Sequence, residues 1–169
     1  MRLKDCHGFS DFRELARRRL PSPIFNYIDG AADDEITYER NTKSFEDCDL
    51  VPNVLRGVEE VDMSVTIMGQ KLEMPIYCSP TALQRVFHHQ GEYAVAAAAD
   101  KFGTMFGVSS LGTVSLSEVR KRYSGPQCYQ FYFHKDRGLN QAMLENAKTA
   151  EIDVMMLTVD TITGGNRER

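Results

Sequence analysis

Nowhere in the 169-residue chain do about 20 apolar residues follow one another, the length needed to cross a bilayer. The opening "MRLKDCHGFSDF" also lacks the apolar run of a signal peptide. A soluble, cytoplasmic protein is therefore expected, with peripheral attachment to a membrane left open. C-x-x-C is missing as well. Cys6, Cys48, Cys78 and Cys128 are scattered, a distribution that reads as reduced thiols and carries neither a zinc site nor a redox pair. No metal is expected. Apart from "ARRRL" there is no basic cluster, and the net charge is −4. A nucleic-acid partner, which needs a basic face or stripe, is thereby disfavoured. Arg17 to Arg19 read as the solvated face of a helix. No G-x-G-x-x-G follows the first strand-like segment, which argues against a Rossmann dinucleotide site.

What is present is the composition of a packed protein: 42% hydrophobic and 26% charged residues, enough to bury a core and to exclude disorder. The first fifty residues read as helical. In "SDFRELARRRL" Phe12, Leu15, Ala16 and Leu20 keep helical spacing, Ser10 is the expected cap and Pro21 the stop. A second helix is expected from Pro23 to Gly30, and a third behind Asp33 and Asp34, whose carboxylates suit a helix N-terminus. The period then changes. "MSVTIMGQKLEMPIYCSP" alternates at Val65 and Ile67, is expected to turn at Gly69-Gln70, and leads into a buried strand near Pro75 to Ser79.

From there strand and helix alternate. "GEYAVAAAADKFG" reads as a helix, "TMFGVSS" as a strand, "SLSEVRKRY" as a helix capped at Ser115, "QCYQFYF" as a strand, "RGLNQAMLENAKTA" as a helix and "DVMMLTVD" as a strand. Four strands with three intervening helices predict parallel βαβ units. Either a doubly wound sheet or a (β/α)₈ barrel fits that pattern. In both, ligands bind at the C-terminal strand ends, where "SPTA", "SSLGT", Gln130, Tyr132 and "TVD" stand.

Five motifs in order, "FNYIDGAADDEITYERN", "MPIYCSPTALQRVFHHQGEYAVAAAA", "SSLGTVSLSEV", "QFYFHKDRG" and "LTVDTITGGNRER", resemble the FMN-dependent 2-hydroxy acid dehydrogenases and oxidases. That is the family of flavin-linked L-lactate dehydrogenase, glycolate oxidase and mandelate dehydrogenase. The resemblance runs from about Phe9 to the last residue. It implies an α/β fold, the N-terminal half of a TIM (β/α)₈ barrel: a helical lead-in over 1–60 and the first half of the barrel over 61–169, all one domain. It implies FMN as cofactor, with Pro80, Thr81 and Ala82 against the flavin ring and Ser109, Gln130 and Thr158 on its polar edge. It also implies Tyr27, Tyr132 and Arg167 as contacts to a small 2-hydroxy acid substrate. Each of these has a plainer reading: turn residues in "SPTA", satisfied polar groups at strand ends, packed tyrosines, a solvated loop arginine. Arg169 and Glu168 receive no role, and His88-His89 read as loop-surface histidines.

Ile162 and Thr163 depart from the proline and basic residue of many relatives, and Asn166 from a small or basic residue, which is expected to alter the loop and leave the flavin contacts intact. The family's "H-G-G-R" motif, with its base histidine, is absent; His7, His88, His89 and His134 stand in other contexts. The chain is therefore expected to be an incomplete enzyme, inactive alone and a homo-oligomer when complete. Ile76, Met155 and Leu157 are expected to point inward without an opposite wall. Two alternatives stay open: another FMN barrel enzyme such as an isomerase, and a non-catalytic half-barrel that serves as an interaction module.

Overall fold

The computed structural model describes residues 2–168; Met1 and Arg169 lie outside them. The chain divides into two compact units: residues 60–162, and the N-terminal residues through Glu59 with those from Thr163 onward.

The N-terminal unit is helical. After a 3₁₀ turn at Leu3–Asp5 come α1, Phe9–Arg19, α2, Ser22–Asp29, and α3, Ile36–Lys43. Ser10 lies inside the first turn of α1 and is not its cap. Asp11 does that work, its carboxylate accepting from the amides of His7 (2.9 Å) and Gly8 (3.1 Å). An anionic acceptor at the third helical position satisfies amides that the helix itself leaves unpaired, and holds them more strongly than a hydroxyl would. Burial of Leu15 and Phe25 and a two-pronged Arg13–Asp29 ion pair (2.5 and 2.9 Å) hold α1 to α2. Arg17 and Arg18 both reach Glu14, which brings that carboxyl down to about 2, and Arg17 to Arg19 are exposed as expected.

The second unit opens with an antiparallel hairpin, β1, Val65–Ile67, and β2, Gln70–Leu72. The turn is one residue earlier than expected. Met68 (φ 51°) and Gly69 (φ 78°) are its central residues, and Gln70 already pairs with Ile67. Positive φ at both central positions is the two-residue turn whose twist matches the strands, and glycine accepts it without strain.

Pro75 to Ser79 does not form the continuous strand expected. It is extended, with a single parallel bridge between Cys78 and Phe106, made by the Cys78 amide to the Met105 carbonyl (2.9 Å) and the Gly107 amide to the Cys78 carbonyl (2.8 Å). Pro75 has no amide hydrogen to offer a ladder. Next come a short helix that the sequence pattern does not announce, α4, Gln84–Phe87, and α5, Glu92–Lys101. Strand β3, Phe106–Ser109, α6, Leu116–Arg122, β4, Gln127–Tyr132, α7, Arg137–Thr149, and β5, Val154–Thr158, complete the alternation. β3, β4 and β5 form a parallel sheet in that order.

The two faces of this sheet differ. Phe106, Val108, Tyr129 and Phe131 pack with Ala96, Ala99, Val119 and Ala147 of the helices. On the opposite face Met105, Cys128 and Val154 close with Leu72, Val65 and Ile67 of the hairpin. Register places Met155 beside Tyr129 and Leu157 beside Phe131, so both lie on the helix face. Their expected inward direction is thereby corrected: strand parity is set by the neighbours that bury it. Met155 and Leu157 are 43% and 54% exposed, and Ile76 is 66% exposed.

Candidate functional site

Along the strands the hairpin-side face changes character. Gly107, Cys128 and Val154 share one level, Ser109, Gln130 and Met156 the next, and Tyr132 and Thr158 the last. The face is thus apolar at the N-terminal strand ends and polar at the C-terminal ends, where a parallel sheet binds its ligands. Gln130 is the centre of the polar part. Its amide nitrogen donates to Thr158 Oγ1 at 2.8 Å. Its carbonyl oxygen accepts from the Ser109 hydroxyl, the Ser110 amide and the Ser110 hydroxyl, each at 3.3 Å. Ser109, Gln130 and Thr158, expected to act together, are therefore joined in one row of hydrogen bonds across three strands. Both Ser109 and Gln130 are buried, so the row is held by packing before any ligand arrives. Tyr132 is half-buried, beside Thr158 in register.

Pro80, Thr81 and Ala82 run past the same sheet. A Cβ added at Gly107 would lie 2.7–2.9 Å from Pro80 ring and backbone atoms. Only glycine permits that close approach, so Gly107 sets how near the loop lies to β3. The Thr81 carbonyl accepts from the Gln84 side chain at 3.2 Å, and the Leu83 amide donates to the Leu111 carbonyl at 3.1 Å. The loop after Cys78 is thus bonded to the loop after β3.

Within the N-terminal unit the structure brings together Tyr27 and Arg167. The Arg167 guanidinium lies over the Tyr27 ring, 5.0 Å from its centroid, and Nη1 donates to the carbonyls of Tyr27 (2.7 Å) and Gly30 (3.2 Å). These carbonyls end α2, where a helix leaves acceptors unpaired and its dipole favours a cation. The Asp33 amide bonds the Asn166 carbonyl at 2.8 Å, fixing the neighbouring segment. Arg167 thus has a local structural task whatever else it binds. Tyr27 itself is half exposed.

His88 and His89 are exposed, with rings 4.4 Å apart, and among the described residues no cluster of His, Cys, Asp or Glu could hold a metal. No helix among them is long and apolar enough to cross a membrane. Two participants escaped the sequence reading. Ser110 supplies two of the three donors to Gln130; the serine doublet in "VSS" was the available signal. Gly107 gave none, because its role depends on a loop brought near only by folding.

A family profile described as FMN-dependent dehydrogenase matches residues 16–169. The L-lactate dehydrogenase of Xanthobacter autotrophicus is 41% identical over 95% of this chain and 41% of its own length. Glycolate oxidase 1 of Oryza sativa subsp. indica is 37% identical over 94% of the chain and 43% of its own length. The chain therefore spans well under half the length of these relatives. A solved mandelate oxidase superposes with a TM-score of 0.87 at 30% identity, over 94% of this chain and 47% of that one. Together with the parallel sheet and its covering helices, that likeness makes the architecture part of a TIM barrel. The chain belongs to the FMN-dependent dehydrogenases, flavoenzymes whose cofactor is FMN.

Proposed function

We propose that the chain is the flavin- and substrate-contacting portion of an enzyme that oxidises a small L-2-hydroxy acid, lactate- or glycolate-like, to the 2-oxo acid. On this reading residues 1–60 are a helical lead-in and 61–169 the first half of the barrel in a cytoplasmic homo-oligomer. The observation that carries the proposal is the row Ser109, Gln130, Thr158, with its amide and hydroxyl groups bonded across three adjacent strands. The chemistry of this donor set fits FMN. The polar edge of the isoalloxazine alternates carbonyl acceptors with an N–H donor, and an amide flanked by two hydroxyls offers both kinds of partner. Pro80 to Ala82, held close by Gly107, would give the ring a flat backbone bed.

Bound FMN supplies the two-electron acceptor that protein side chains lack. The chain's own residues hold and orient. Gln130 and Thr158 would fix the ring edge, and the Tyr132 phenol would donate to the substrate hydroxyl oxygen as it becomes a carbonyl. Tyr27 and Arg167 would receive the carboxylate, the guanidinium by its planar fork. No base histidine is assigned within residues 1–169, so this chain by itself should not turn over. The L-lactate dehydrogenase and glycolate oxidase names of its relatives support the substrate class.

Two substitutions in the complete protein test the roles. Gln130→Leu should weaken FMN by roughly 1–3 kcal/mol, because buried partners lose their bond, read by quenching of flavin fluorescence. Tyr132→Phe should lower kcat while leaving FMN affinity near that of the parent. Equal effects of both on flavin affinity would contradict the assignment.

A further inference from the structure

Glu92, the first residue of α5, is completely buried, and none of the proposed chemistry uses it. Its carboxylate accepts from the Thr113 amide at 2.6 Å and from the Thr113 hydroxyl at 2.7 Å. The same hydroxyl oxygen accepts from the Arg85 amide at 3.1 Å. Taking a carboxylate out of water costs heavily unless its bonds are strong and well made, and short bonds to an ionised acceptor are among the strongest in a protein. The surroundings leave room for them. A Cβ at Gly112 would lie 3.2 Å from Glu92 Oε1 and 3.0 Å from the Ser109 carbonyl. One at Gly91, whose φ is 51°, would lie 2.6 Å from Arg85 Cγ.

Thr113 ends the loop that begins at Ser109. Within that loop the Leu111 amide donates to Ser109 Oγ at 3.1 Å, and the Gly112 amide to the Ser109 carbonyl at 2.9 Å. Arg85 follows the loop of Pro80 to Ala82, already tied to Leu111 through Leu83. One buried carboxylate thus stands behind both loops, reaching each through a single threonine. We propose that Glu92 is a positioning residue that, through Thr113, locks the Ser109–Thr113 loop to the Pro80–Arg85 loop and so presets the flavin-binding surface. The flavin part of this inference rests on the reading given above; the locking of the loops does not.

The test uses Glu92→Gln, Thr113→Val and Thr113→Ser in the complete protein, with FMN as the probe. Glu92→Gln and Thr113→Val should each raise the FMN dissociation constant about tenfold, equal to about 1.4 kcal/mol. Together they should do little more than either alone, because they break one linkage. Both should also speed amide hydrogen exchange at Leu83 and Arg85, on the loop joined to Glu92 through the Thr113 hydroxyl, and Thr113→Ser should restore exchange and affinity. Faster exchange confined to Gly112 and Thr113, with FMN affinity unchanged, would overturn the proposal and leave Glu92 a local plug. Failure of the unchanged protein to bind FMN would instead overturn the flavin reading. Exchange at Leu83 and Arg85 would then still decide whether Glu92 joins the loops.

Discussion

Gln130 is the residue on which the candidate site turns, because one planar amide must satisfy neighbours on both sides at once. Its oxygen faces Ser109 and Ser110, its nitrogen Thr158, so a flipped amide would set donor against donor. The cysteines offer a test of burial at the same scale. Cys48 is exposed, whereas Cys78 is half-buried and Cys128 buried. Burial pushes the thiols of Cys78 and Cys128 up from the ordinary value, which lowers the thiolate fraction at any given pH. Alkylation followed by peptide mass mapping should therefore modify Cys48 first. Cys78 should react only as pH rises further and Cys128 last; rapid labelling of Cys128 in the native protein would contradict the described core. These environments were not legible in the sequence, since scattered cysteines carry no pattern that reveals their depth.

At the scale of elements, local signals were the readable ones. Ser115 caps α6 as expected, its hydroxyl accepting from the Glu118 amide at 3.3 Å while the Glu118 carboxylate accepts from the Ser115 amide at 3.3 Å. Ser115→Ala should lower stability by about 1 kcal/mol, measured by urea denaturation with an unchanged slope. The alternation from β3 to β5 was legible too, because each segment has its own period and its own stop. What failed was anything requiring knowledge of a neighbour. Ser10 lost the α1 cap to Asp11, one residue on. The direction of Met155 could not be read from "DVMML", where apolar residues occupy both parities. The site residues were reached through the family resemblance; composition alone left each of them a turn, core or strand-end residue. Glu92 was invisible because its partner lies 21 residues away.

At the scale of the whole molecule, the exposed apolar side chains of β5 have a measurable effect. Met155 and Leu157 continue the face that Tyr129 and Phe131 bury under helices, and β5 is an outer strand of its sheet. Unpaired edges with apolar neighbours favour association. Residues 1–169 expressed alone should therefore form oligomers that grow with concentration in light scattering, and Met155→Lys with Leu157→Lys should shift them toward monomer. A concentration-independent monomer from the unchanged chain would refute this.

The parity of β4 has a wider consequence. Tyr129 and Phe131 go under the helices, which obliges Gln130 and Tyr132 to face the other way. Folding correctly and presenting the right chemistry are consequently a single binary choice. A slip by one residue would put two aromatic rings where the amide and the phenol belong, and would bury the amide in grease. Hydrophobic residues on the helix face thus act as proofreaders of the candidate site on the other. Damage to them would disarrange that face before any polar residue had changed.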